Sequence, residues 1–169
     1  MAISMYSASV PVFTRMLGHL AAWLDKAEAH AQAKKFDTSV YLAARLAPDM
    51  LPLPKQIQIA CDAAKFGVAR LAGVEAPKFE DNEASLAELR ERIRKTVEFV
   101  RSVPAAAIDG TEDKDVTVPR RDGNIVLKGE FYLKHYVQPN FYFHVTTAYA
   151  LLRHNGVELG KADYLGALK

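Results

Sequence analysis

The sequence predicts an all-α protein, a four-helix bundle with a short β-hairpin inserted before the last helix. Two observations carry that expectation. Four separate stretches repeat apolar residues at three- and four-residue spacing, the mark of helices that bury one stripe. Between Pro104 and Gly129 the period drops to two, as in paired strands. A chain of 169 residues, 50% hydrophobic and 25% charged, suits one domain spanning 1–169 with a core of its own.

The first helix is expected from about Ser9 to His30, with Phe13, Met16, Leu17, Leu20, Leu24 and Ala27 on its stripe and Ser7 or Ser9 as cap ahead of Pro11. Asp37-Thr38-Ser39 can cap a short helix through Tyr41, Leu42 and Leu46, which the prolines at 48, 52 and 54 interrupt. A longer helix follows, with Ile57, Cys61, Ala64, Val68 and Leu71 in one seam and Gly73 near its end. Ser85 and Glu88 have capping-box spacing, and Leu89, Ile93, Val97 and Val100 continue that helix; Glu91, Arg92, Arg94, Lys95 and Glu98 read as its solvated face. Asp115–Val118 and Asn124–Leu127 flank Asp122-Gly123 as a hairpin, which must lean on the helices to be stable. Phe131, Tyr132, Leu133 and Tyr136 make a short helical turn, and Pro139 then starts the last helix, which stops at Asn155-Gly156. In the tail, Tyr164 and Leu165 can dock on the body.

Composition excludes several functions. Lys plus Arg exceed Asp plus Glu by two (22 against 20), and no basic run interleaves with aromatics, so nucleic acid is not an expected partner. No window reaches the roughly 18 apolar residues of a membrane span, and no signal peptide is evident. The single cysteine, Cys61, allows no internal disulfide and reads as a small core residue. A cytoplasmic location is expected.

Of the five histidines, no two stand at the three- or four-residue spacing that helical metal sites use. His19 and His30 read as solvated, and eleven residues apart on a helix they are about 16 Å from each other. His135 is half a turn out of phase with His144, and His154 lies in the last turn, where a cation complements the helix dipole. His144 leans towards the interior. It is expected either to hydrogen-bond to Asp49, Tyr142 or a backbone carbonyl, or to form a polar pocket with Asn140 and Asp49 that binds a small molecule. A third possibility makes His144 a general base oriented by Asp49. The aromatic residues from Phe131 to Tyr149 either line a cavity or seal a homodimer.

The run His144-Val145-Thr146-Thr147-Ala148-Tyr149-Ala150-Leu151-Leu152-Arg153-His154-Asn155-Gly156 resembles the last-helix signature of the DinB/YfiT-like bundles. With Arg45–Met50, Gly73–Phe79 and Pro139–His144, the chain resembles an uncharacterised bacterial branch of that superfamily, a domain of unknown function. The resemblance implies a bundle, often dimeric, whose metal-binding members hold zinc or nickel with three histidines, one from the second helix and two, four residues apart, from the last. Carried over, His144 matches the second of the last-helix pair, Asn140 stands where the first belongs, and the second-helix region offers Asp49 or Gln56. The expected site is therefore a ligand-depleted former metal centre of His144, Asn140, Asp49, Gln56 and Tyr142, with at most a weakly held divalent metal on His144. The resemblance implies relatives that include thiol-dependent transferases and isomerases as well as members with no known activity, so the fold alone selects no reaction, and a divalent-metal-dependent hydrolase or thiol transferase stands as a further alternative for this chain.

Overall fold

The computed structural model describes residues 3–167, and its four long helices are those the stripes mark. α1 (Val10–Lys34) buries Phe13, Leu17, Leu20, Leu24, Ala27 and Ala31 and ends at Lys35 in the left-handed region, φ +60°. Ser9 does not cap it: its hydroxyl turns back to donate to the Met5 carbonyl at 2.7 Å. α2 is a single turn, Ser39–Leu42, ending before Leu46. α3 (Leu53–Ala72) opens on Pro54 and closes on Gly73, φ +73°. α4 (Leu86–Ser102) accepts its Glu88 N–H on the Ser85 hydroxyl, while the Glu88 carboxylate reaches back to the N–H of Ala84, one residue short of a reciprocal box.

β1 (Asp115–Val118) and β2 (Ile125–Lys128) pair antiparallel, Asp115 opposite Lys128 and Val118 opposite Ile125. β1 presses Val116 and Val118 into the helical body, the support that a two-stranded ribbon requires.

The chain then differs from expectation. α5 (Gly129–Phe131), a π-helical stretch (Tyr132–Val137) and α6 (Gln138–His154) form one continuous rod, so Pro139 lies inside a helix and does not begin one. The reason is steric. Proline lacks an N–H and its ring crowds the carbonyl four residues back, here that of His135; the wider turn of a π stretch lets the rod pass this point unbroken.

α3 packs against α6 and α4, and α1 packs against α4 and α6, which closes the bundle. The core between them holds Trp23, Tyr41, Tyr132, Phe13 and Phe141 as its largest apolar side chains. α7 (Lys161–Leu165) docks on α1: Tyr164 stacks on Trp23 with ring centroids 5.6 Å apart, and the Trp23 indole donates to the Asp163 carbonyl at 3.2 Å. Leu165 stays 44% exposed. Among the described residues no helix is long and apolar enough to cross a membrane.

Candidate functional site

His144 sits on the buried face of α6, 9% exposed. Its Nδ1 lies 2.7 Å from Oε1 of Gln56 on α3. The other end of that amide is committed, because Gln56 Nε2 donates to the Leu51 carbonyl at 2.9 Å. With its NH2 used on Leu51, Gln56 can offer His144 only an acceptor, so the imidazole proton resides on Nδ1 and the lone pair on Nε2. The proline-rich break before α3 thus supplies the carbonyl that sets the tautomer. Burial holds the His144 pKa below the usual imidazole range, and no carboxylate partner offsets that effect. The result is a neutral ring that can accept a hydrogen bond or a proton at Nε2.

The other expected members of the site are dispersed. Asp49 is exposed and makes no direct hydrogen bond to His144, whose Nδ1 is taken by Gln56. Tyr142 faces a groove of about 240 Å³ together with Val12, Met16, His19 and Tyr164. Asn140, one turn before His144, lines a different cavity, about 230 Å³, between α3 and the π stretch. His19 and His30, expected in solvent, are half-buried; His19 Nδ1 lies 3.0 Å from the Tyr164 carbonyl and His30 Nδ1 lies 2.6 Å from the Tyr41 hydroxyl.

The Asn140 cavity holds Asp62, Phe66 and Arg70 from α3, which sequence reasoning passed over, beside Tyr132 and Tyr136 from the π stretch, two of the aromatics expected to line a cavity or seal a homodimer. Val118 and Pro119 of the hairpin also line it. The signal was present, since 62, 66 and 70 and again 132, 136 and 140 repeat at four-residue spacing on facing rods. Arg70 lays its guanidinium 5.0 Å from the Phe66 ring centroid and donates from Nη1 to the Tyr132 hydroxyl at 3.1 Å. That hydroxyl donates onward to the Phe66 carbonyl at 3.3 Å.

Behind Asp62 lies a buried ion cluster. Arg92, expected on a solvated face, has a side chain only 2% exposed and reaches Glu83 at 2.9 Å, Asp81 at 3.0 Å and Asp62 at 3.1 Å. Lys65, equally buried, holds Asp62 at 2.9 Å and sits 4.4 Å from the ring centroids of Phe66 and Phe79. Periodicity placed Arg92 outside because it cannot see that the loop before α4 folds back over that helix.

A family described as a domain of unknown function, DUF1993, matches residues 5–165. The chain belongs to this family. Its relation to the wider fold is equally direct: a DUF1993 chain with this bundle is similar to the crystal structure of a DinB family member protein from Shewanella denitrificans, with 47% identity, 96% of this chain and 92% of that one covered, and a TM-score of 0.91. It is a DinB-like helical bundle. No curated protein matches it.

The DinB-like fold usually implies a metal, and this DUF1993 chain does not supply the donors. His144 has Nδ1 tied to a carboxamide, Asn140 lines a separate cavity, and among the described residues no group of three His, Cys, Asp or Glu side chains could hold an ion. A neutral amide oxygen is a poor ligand for zinc or nickel.

Proposed function

We propose that this protein is a cytoplasmic small-molecule-binding bundle in which the former metal centre survives as the neutral pair His144 and Gln56, while the ligand occupies the cavity lined by Asn140. The supporting observation is the locked carboxamide: Gln56 accepts from His144 Nδ1 where a metal-binding bundle would present a second donor to the ion. An imidazole whose pKa is lowered by burial, with no carboxylate behind it, is a good acceptor and a weak base. That favours recognition over proton transfer. Of the residues expected around His144, Asn140 lines this cavity, His144 and Gln56 pair with each other outside its lining, and Tyr142 borders a separate groove. The test is titration with zinc and nickel while following thermal unfolding, for the intact chain and for His144→Ala. The expected result is no stabilisation at micromolar metal; a rise in Tm that vanishes in His144→Ala would overturn the reading and favour a metal-dependent hydrolase or thiol transferase.

A second reading is supported by the surface. Phe143 is 56% exposed beside Tyr142 at 36%, and Leu165 at 44% borders the same edge of α6 and α7. A homodimer through this edge would bury them. Sedimentation velocity over a concentration series tests it, and a strict monomer at high concentration removes it.

A further inference from the structure

We propose that the cavity between α3 and the π stretch is a recognition site for a small organic carboxylate with a flat apolar body, anchored by Arg70. This rests on the reading of that cavity as the ligand site. Three observations carry it.

First, Arg70 is a positioned cation without an anion. Lys65 and Arg92, its neighbours on the same side of the bundle, each hold a carboxylate, whereas Arg70 makes no ion pair among the described residues. Its orientation is nonetheless set twice, by the Phe66 face beneath it and by the Tyr132 hydroxyl at Nη1. Nε and Nη2 have no protein partner among the described residues, which leaves one edge of a planar fork for a carboxylate. The Tyr132 hydroxyl spends its proton on the Phe66 carbonyl, so it acts as the positioning group for Arg70 and is not itself free to donate to a ligand.

Second, the walls suit a flat body. Tyr132 and Tyr136 stack with ring centroids 5.8 Å apart and planes at 19°, and Phe66 lines the cavity from α3. At about 230 Å³ the cavity exceeds the roughly 150 Å³ that accommodates benzene in an apolar protein cavity, so one ring with short polar substituents fits.

Third, the far end offers an acceptor. Asp62 receives Arg92 and Lys65 both on Oδ1, at 3.1 and 2.9 Å, and Oδ2 has no partner among the described residues. Those two cations offset its charge, so Asp62 accepts a hydroxyl or amine without driving an anion from Arg70. Asp62 and Arg70 are eight residues apart, about 12 Å along the helix, and the Arg70 side chain folds back over Phe66 to shorten that span.

The test is NMR titration of the full chain with benzoate, 4-hydroxybenzoate and phenylacetate, each paired with its neutral amide. Concentrations run to about 10 mM, past the roughly millimolar affinity that one charge-assisted pair and a single ring support. The carboxylates are expected to shift resonances of Tyr132, Tyr136 and Asn140, and to bind at least about tenfold more tightly than their amides. Arg70→Gln should abolish that preference, with its Tm confirming the fold, while His144→Ala should keep it. Amides binding as well as acids, or inorganic phosphate shifting the same resonances as strongly, would overturn the carboxylate assignment and leave a binding cavity. No shift with any probe of either charge would overturn both the assignment and the cavity as a ligand site.

Discussion

Gly67 on α3 faces Val137 at the end of the π stretch so closely that a Cβ on Gly67 would stand 2.6 Å from Val137 Cγ1. Both residues lie on the two rods that wall the Asn140 cavity, and Val137 itself lines it. Gly67→Ala must push the π stretch outward, and overpacking of this kind costs about 1–3 kcal/mol. Urea denaturation should show that loss, and Gly67→Ala with Val137→Ala should recover part of it, because the second change removes the clashing methyls. A fully stable single variant would mean the rods are not held at this distance.

The His144 and Gln56 pair predicts a definite pH dependence. Burial makes the folded pKa of His144 lower than the unfolded value near 6.5, so the fold prefers the neutral ring. Its contribution is complete above about 6.5 and is lost as pH falls through the lower folded value. Gln56→Glu should reverse the sign: a carboxylate beside the ring raises the folded pKa, and the pair then weakens as pH rises through it. NMR titration of the His144 ring in both proteins reads the two directions.

Removing the acceptor altogether is a separate matter. Gln56→Leu leaves the Nδ1–H of His144 buried with no partner, a loss of about 1–3 kcal/mol measurable by chemical denaturation. The variant His144→Leu with Gln56→Leu should be more stable than Gln56→Leu alone, since both polar partners are then gone.

The ion cluster predicts a large effect from a residue that looks peripheral in sequence. Burial opposes ionisation of Glu83, yet hydrogen bonds from Arg92 and Gln58 outweigh it and hold its carboxyl below the usual carboxylate range. Glu83→Ala strips the nearest acceptor from the 2%-exposed Arg92 side chain but leaves it Asp81 and Asp62, so the loss is that of a hydrogen bond between charged groups, about 1.5–3 kcal/mol. The loss should change little with added salt, unlike that of an exposed pair such as Arg94 with Glu98.

Cys61 offers a simple check on the core. It is fully buried, and burial pushes its thiol up to about 12, so almost no thiolate exists at neutral pH. A thiol reagent should leave the native chain unmodified and label it once denatured. Fast labelling of the native protein would place Cys61 outside the seam.

Most of the framework is legible because helices announce themselves by spacing: the α1 stripe, the Cys61 seam, the Ser85 cap on Glu88 and Gly73 at a left-handed stop all appear in the structure. The misreadings share a cause. Pro139 is a breaker by local rules, and only tertiary support makes a π stretch around it acceptable. Arg92 is a surface residue by periodicity, and its burial depends on where Asp81 and Glu83 fold. The site divides in the same way. The resemblance offers Asp49 and Gln56 alike in the second-helix ligand's place, and only the fold shows that Gln56 reaches His144 while Asp49 stays exposed and Tyr142 faces another groove, because neither resemblance nor spacing says which face of the bundle a loop residue reaches.

Leu51, Gln56 and His144 form a relay with a direction, from a backbone oxygen through one amide to one ring. Its polarity is set at the loop end. A peptide rotation that withdrew the Leu51 oxygen would free the carboxamide to turn over, transfer the imidazole proton to the opposite nitrogen and move the ring's basic edge from one side of α6 to the other. A stretch of prolines that seems only to separate two helices therefore governs which way the sole interior histidine points its chemistry.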